Sequence, residues 1–454
     1  MPSSSSEYNF PPGLKRNLLW YTGTKFRPGD AISLFQHLSE KYGGIAHYKL
    51  GRGHIIFLNH PDYIREVLVV QNDNFVKERI VQRTKMLLGD GMITAEGNMH
   101  KSQRRVAQPR FHRQRITAYS EAIVEESARL REQWRDRDHR DISIEMMGLT
   151  LRIVARTLFS TELGPEVKEL GDAINAIMGI YHYLIALPAV ETLINFGVPP
   201  VAKFTKAKAR LDAIVCHMID EHRKRPAGDP DLLDLMLESE GLSGEKDAAS
   251  DQYLRDQVIT IFLAGYETVA SALTWTWYLL SQNPEAEQRF HEEIDTVLHS
   301  RLPTADDVPQ LKYTEMVLAE AMRLYPPVWA MGRQALRDFT LGDYHLPAGT
   351  TVLISQFIAH RDPRNFVDAA RYLPERFAPA GRATFPKFSY FPFGAGFRQC
   401  IGEAMAWTEG ILILATLAQK WKFRLLPSAR VQMQQLITLR PKYGMPMQIL
   451  NAHS

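Results

Sequence analysis

Ten residues, Phe393-Gly394-Ala395-Gly396-Phe397-Arg398-Gln399-Cys400-Ile401-Gly402, bring a thiol, a guanidinium and three glycines together. Residues 403–412 read as a helix whose unpaired N-terminal amides and dipole favour an anion, so Cys400 is expected to be a thiolate of depressed pKa. Such a thiolate is a soft metal ligand. Gly394 and Gly396 permit the positive backbone angles of a tight loop, Gly402 lets a planar ligand approach the backbone, and Arg398 reaches an anionic group beside the sulfur. A lone cysteine is ordinarily a small buried hydrophobe, but that reading leaves the arginine and the spaced glycines unexplained. A dinucleotide loop is excluded, because Gln399 stands where the third glycine is required and the preceding stretch is no strand.

A second concentration of reactive types is Ala264-Gly265-Tyr266-Glu267-Thr268, inside a stretch, 256–281, that is apolar nearly all round. That pattern marks a helix buried through a large domain. From residue 250 it would run about 48 Å at ~1.5 Å per residue. Thr268 follows Ala264 by one turn, so its hydroxyl can take that carbonyl from the ladder and open the helix, while Gly265 leaves space beside it. The expected result is a pocket for a small ligand; the plainer alternative is a back-bonded threonine beside a glutamate salt-bridged elsewhere. Glu320 and Arg323 lie one turn apart on a helix that stops at Pro326-Pro327, a spacing that on a surface is worth about 0.3–0.5 kcal/mol. His100 and Arg104 share a helix face in His100-Lys101-Ser102-Gln103-Arg104-Arg105.

The elements that must position these groups are mainly helical. Apolar residues at helical spacing dominate 118–299, while candidate strands are short and lie near the ends, at 47–50, 54–58, 351–355, 423–425 and 447–450. The fold class is therefore mainly α with a small β-rich part. With 454 residues, 45% of them apolar, length alone allows two or three domains. No linker divides the chain, and the polar patch 238–250 reads as a surface loop. Two cysteines cannot build a disulfide framework, and Cys216 reads as a packed, inert helix thiol, so a reducing, cytoplasmic setting is expected. The N-terminus has no signal-peptide pattern, and the most apolar stretches are interrupted by Glu267 and Glu409, so no transmembrane anchor is expected. A net charge of +3 is too small to imply nucleic acid.

The Phe-Gly-x-Gly-x-Arg-x-Cys-x-Gly pattern resembles the haem-binding loop of the cytochrome P450 family, where the cysteine thiolate is the proximal iron ligand. The resemblance runs from Pro11-Pro12-Gly13 to Leu439-Arg440-Pro441-Lys442. It implies a single cytochrome P450 domain over 1–454, haem b (iron protoporphyrin IX) as cofactor, and a monooxygenase that inserts one atom of O2 into a lipophilic substrate. By resemblance Cys400 ligates the iron, and Phe393, Gly394, Gly402 and Ala264 belong to the haem site. His100, Arg104, Arg333 and Arg398 fill the positions that meet the propionates, although the family usually has Trp where His100 stands. Glu267 and Thr268 match the acid–alcohol pair that feeds protons to dioxygen cleavage. Ala264 replaces the glutamate of members that attach haem covalently, so no ester is expected. Glu320, Arg323 and Arg376, the last in Pro374-Glu375-Arg376-Phe377, match a structural network that locks the cysteine loop.

Several further expectations follow from that resemblance. No flavin or iron–sulfur domain is visible, so electrons are expected from an external ferredoxin or flavodoxin with its NAD(P)H reductase, steered by Lys101, Arg105, Arg110 and Lys387. A haem-thiolate isomerase would lack the alcohol and a peroxide-driven enzyme the acid–alcohol pair; a ligand-binding or sensor protein without turnover remains the alternative. The substrate cavity would be apolar, with Ile80, Met86, Leu87, Leu88, Tyr181, Tyr183, Leu187, Phe262, Trp329 and Met331 in its walls. A fatty acid is the first expectation and a terpenoid or steroid the next, with Arg79, Arg83 and Lys85 available to a carboxylate.

Overall fold

The structure is a computed structural model that describes residues 8–20, 30–162, 169–177, 179, 199–224, 230–239 and 248–453. It divides into two compact units, Met1–Arg83 with Val328–Arg371 and Ala380–Cys400, and Thr84–Pro327 with Tyr372–Pro379 and Ile401–Ser454.

The first unit is built on a five-stranded sheet. Ile45–Leu50 and Gly53–Leu58 form an antiparallel hairpin, with Gly51 at a positive φ of 60° in its turn. Gly53–Leu58 pairs in parallel with Thr351–Ile354, which pairs antiparallel with Met331–Ala335, and Phe75–Lys77 closes the far edge. The β-branched residues Ile56, Val352 and Ile354 are fully buried, as inner strands require. On the other face Phe57 stacks on Phe35 of helix Ala31–Tyr42, ring centroids 5.0 Å apart. The expected strands at 47–50, 54–58 and 351–355 are present; Phe75–Lys77 and Met331–Ala335 are additional.

The second unit is helical around Ala248–Gln282, 35 residues and so roughly 50 Å long. Leu254, Val258, Phe262, Ala270, Leu273, Trp275 and Trp277 on it are buried. It ends where Pro284 starts the next helix, Pro284–Leu298, at a position where a missing N–H costs nothing. Asp251–Gln282 is long and apolar enough by length and composition to cross a bilayer despite Glu267, but 78% of the window that qualifies is buried within the protein. Its apolar surface is spent on core packing. Strands His139–Asp141, Pro446–Asn451 and Trp421–Leu425 form a small antiparallel sheet that includes the two expected terminal strands, and Met433–Gln435 pairs with Leu439–Pro441. Cys216, on Pro199–Lys224, is exposed rather than packed, and its thiol is pushed up by desolvation and by Asp212, Asp251 and Asp220. Tyr181, Tyr183, Leu187 and most of the 238–250 loop lie outside the described residues.

Candidate active site

In the first unit the cysteine loop is held by its own backbone. The Gly394 N–H donates to the Phe391 carbonyl (3.0 Å), Gln399 to Gly396 (3.0 Å) and Cys400 to Phe393 (2.9 Å). Gly394 and Gly396 have φ of 73° and 71°, as the loop demands. A Cβ at Gly396 would stand 2.1 Å from the Leu68 carbonyl oxygen, so that glycine is also required by close approach. Fully buried His360 accepts from the Phe391 N–H (3.0 Å), a support that no sequence motif marks. The Cys400 side chain is exposed. Gly402 serves as N-cap of helix Glu403–Ala418 with an ordinary φ of −90°.

Arg333 lies on the strand Met331–Ala335, with Nη1 on the Gly332 carbonyl (2.8 Å). Beside it is Glu78, whose carboxyl is pushed up by burial, against the Ile80 N–H, Arg333 and Arg83. A Cβ at Gly332 would stand 2.1 Å from Glu78 Cγ. Glu78 was invisible in the sequence because a glutamate flanked by Lys77 and Arg79 reads as a solvated charge.

In the second unit Thr268 Oγ1 donates to the Ala264 carbonyl at 2.8 Å, as its spacing predicts. The helix continues through this point, correcting the expected local opening: a carbonyl oxygen has a second lone pair, so the hydroxyl need not displace the ladder. Gly265 does not leave open space. A Cβ there would stand 2.9 Å from Val154 Cγ2, so the glycine admits helix Ile142–Phe159. Ala264 is exposed, and Leu263 and Thr268 are partly so, in the middle of a helix otherwise turned into the core. Phe262 stacks on Phe159 within that core, ring centroids 4.7 Å apart.

Glu267 is buried, and its Oε1 accepts from Thr438 Oγ1 and from Arg440 Nε (2.8 Å). Arg440 in turn donates through Nη1 to Asn175 Oδ1 (2.9 Å). The plainer alternative for this glutamate, an ion pair elsewhere, is therefore realised, whatever further role it has. Neighbouring Tyr266 is buried, and that burial pushes its phenol up.

His100 and Arg104 share a face of helix Gly97–Ala107, with His100 buried and Arg104 half-buried. Lys101 and Arg105 are exposed on it, and Lys387 is exposed in the first unit. Arg110 is buried, which corrects its expected role in steering a partner. Glu320 and Arg323 are fully buried, joined by Nε–Oε2 (2.7 Å) and Nη2–Oε1 (2.8 Å); Arg376 Nε (3.3 Å) and the Leu373 N–H (2.9 Å) also reach Glu320 Oε1. A surface pair is excluded.

In the first unit the exposed Cys400 thiol on its preformed glycine loop, with Arg333 and Arg398 on the same unit, suits an iron porphyrin that carries acidic groups; in the second unit exposed Ala264 interrupts a buried helix, and His100 and Arg104 share one helix face. Residues 11–446 match the family model described as Cytochrome P450. The chain belongs to the cytochrome P450 family. It is 36% identical over 401 residues to "Cyclooctatin synthase" of Streptomyces melanosporofaciens, covering 88% of this chain and 87% of that protein. It is 36% identical over 389 residues to "Cyclooctat-9-en-7-ol 5-monooxygenase" of the same organism (85% and 84% covered), and 34% identical over 404 residues to "Pentalenene oxygenase" of Streptomyces avermitilis (88% of each). The protein is thus a cytochrome P450 monooxygenase, a haem b enzyme.

Proposed function

We propose that this cytochrome P450 hydroxylates a terpenoid. The observation that carries the substrate class is the agreement of the relatives' names, each a terpenoid oxygenase or synthase covering most of this chain. The fatty-acid reading has less support, because Lys85, one of its three anchors, is already paired with Asp90 Oδ1 at 2.7 Å. One family match spans both units, which supports their acting as a single haem domain.

When bound, the haem supplies a thiolate-ligated iron that activates dioxygen for insertion into a C–H bond. Cys400 is the residue that would hold it, on a loop set by Gly394 and Gly396. His100, Arg104, Arg333 and Arg398 are the donors that would meet its propionates. Phe393, Gly402 and Ala264 offer a flat or small surface to its ring. Thr268 donates its proton to the Ala264 carbonyl, so its oxygen lone pairs remain able to accept a hydrogen bond from water or substrate. Glu267 Oε1, held by Arg440 and Thr438, is the atom at which a proton would be taken up and passed on. Passing it requires that carboxylate to loosen from Arg440.

Electrons come, in this reading, from an external ferredoxin or flavodoxin with its reductase, since P450 monooxygenases generally need redox partners. Exposed Lys101, Arg105 and Lys387 supply charge to attract an acidic one. The substrate reading is tested by titrating the loaded enzyme with cyclic terpenes, steroids and long-chain fatty acids, then identifying products with a surrogate reductase. Hydroxylated terpene is the expected product. Turnover of fatty acids with none of terpenes would overturn the reading.

A further inference from the structure

Three polar side chains of the second unit converge on residues 90–91 without satisfying one another. Gln103, from helix Gly97–Ala107, donates Nε2 to the Asp90 carbonyl at 2.7 Å, and Gln257, from the central helix, donates Nε2 to the same carbonyl at 3.5 Å. Because that carbonyl accepts only from N–H, both amides are oriented, and each turns its Oε1 away from it. Both oxygens are buried without a hydrogen-bond partner among the described residues, and so is the hydroxyl of Thr260. The three side chains are 3%, 0% and 1% exposed.

Thr260 is the exception on its helix. Thr268, Thr274 and Thr276 all return their hydroxyls to the carbonyl one turn back, at 2.7–2.8 Å. Thr260 instead presents its oxygen to Gly91, where a Cβ would stand 1.9 Å from it. The segment is fixed in place by the Asp90 N–H on Asp256 Oδ2 (2.9 Å). Two carbonyl oxygens and a hydroxyl left unpaired in an apolar core are costly, and native interiors retain such groups only where something meets them. An alcohol can donate its O–H to one of the two amide oxygens and accept from the Thr260 hydroxyl, whereas a water, with two hydrogens, can donate to both oxygens. Thr260 lies on the same helix face as Ala264, one turn away, and Ala264 is exposed.

We propose that Gln103, Gln257 and Thr260 form a specificity subsite for the alcohol of a lipophilic substrate that has already been oxygenated once. A reaction that installs the first hydroxyl would then precede this one. The remainder of the ligand rests on the terpenoid reading above; the subsite does not. A fixed water is the competing source of the same O–H chemistry.

The loaded enzyme should bind cedrol about tenfold more tightly than the matching hydrocarbon cedrane in spectral titrations, the scale of one to two hydrogen bonds. In Thr260→Val, which keeps the side chain's shape, and in Gln257→Leu, the preference should fall to about twofold or less, with the ferrous–CO spectrum reporting intact loading. Should Gln257→Leu fail to load, Thr260→Val alone decides. Equal binding of both compounds by the wild type, or a preference unmoved by Thr260→Val, overturns the subsite and leaves the terpenoid reading standing. A crystal of the loaded enzyme soaked with cyclohexanol separates the sources. An alcohol oxygen within hydrogen-bond distance of two of the three atoms supports the subsite even if neither cedrane compound binds, in which case it is the terpenoid reading that fails. A water that persists there against the alcohol, or amides turned to satisfy one another, overturns it.

Discussion

Thr268 and Glu267 are neighbours in the chain with opposite surroundings, one partly open and one sealed against Arg440. Removing the Thr268 hydroxyl leaves the helix ladder intact, so Thr268→Ala should load haem normally yet divert reducing equivalents to hydrogen peroxide. Peroxide formed per NADPH consumed, with a surrogate reductase, is the measurement; unchanged coupling would contradict a proton role. Glu267→Gln keeps the shape but not the charge opposite Arg440, and should slow turnover with a larger solvent isotope effect. Thr268's back-bond was legible because it joins residues four apart on one helix. Arg440 was not, since 173 residues separate it from Glu267 and only tertiary packing brings them together. Arg110 misled for the mirror reason: charge in a sequence reads as exposure, whereas burial is decided by elements elsewhere.

At the scale of elements, helix Lys312–Leu324 is tied to the turn Pro374–Phe377 by one carboxylate, Glu320, that satisfies Arg323, Arg376 and a backbone N–H. Breaking a fully buried pair leaves an uncompensated charge and costs about 3–5 kcal/mol. Glu320→Gln should therefore yield protein that unfolds earlier in urea and retains little haem. Helix Glu403–Ala418 carries a second buried carboxyl, Glu409, whose pKa is pushed up to about 8 by burial. The folded state binds its proton where the unfolded chain has released it, so stability should fall by up to about 1.4 kcal/mol per pH unit from the ordinary glutamate range to about pH 8, then level off. Thermal melts across that range should show this slope, and Glu409→Gln should flatten it. Long helices were legible from apolar spacing. The strands Phe75–Lys77 and Leu439–Pro441 were not, because three residues carry no usable periodicity and their pairing is set by partners far along the chain.

For the molecule as a whole, family membership was legible in one loop of ten residues, because its thiol, arginine and glycines each answer a separate physical demand. Substrate class was not, since the wall residues named from the sequence scatter: Leu87, Leu88 and Phe262 are buried in the core, Ile80, Met86, Trp329 and Met331 are half-buried, and Tyr181, Tyr183 and Leu187 lie outside the described residues. Reduction by an acidic ferredoxin should slow as salt rises, because exposed Lys101, Arg105 and Lys387 act through screened long-range attraction. Stopped-flow reduction at increasing ionic strength measures this, and a salt-independent rate would remove the steering. The central claim, that Cys400 is the thiolate on which this cytochrome P450 works, is tested most directly by the ferrous–CO difference spectrum of the wild type beside Cys400→Ala. A strongly red-shifted Soret band in the wild type and its complete loss in the variant is the predicted result; the same red-shifted band in both would contradict it.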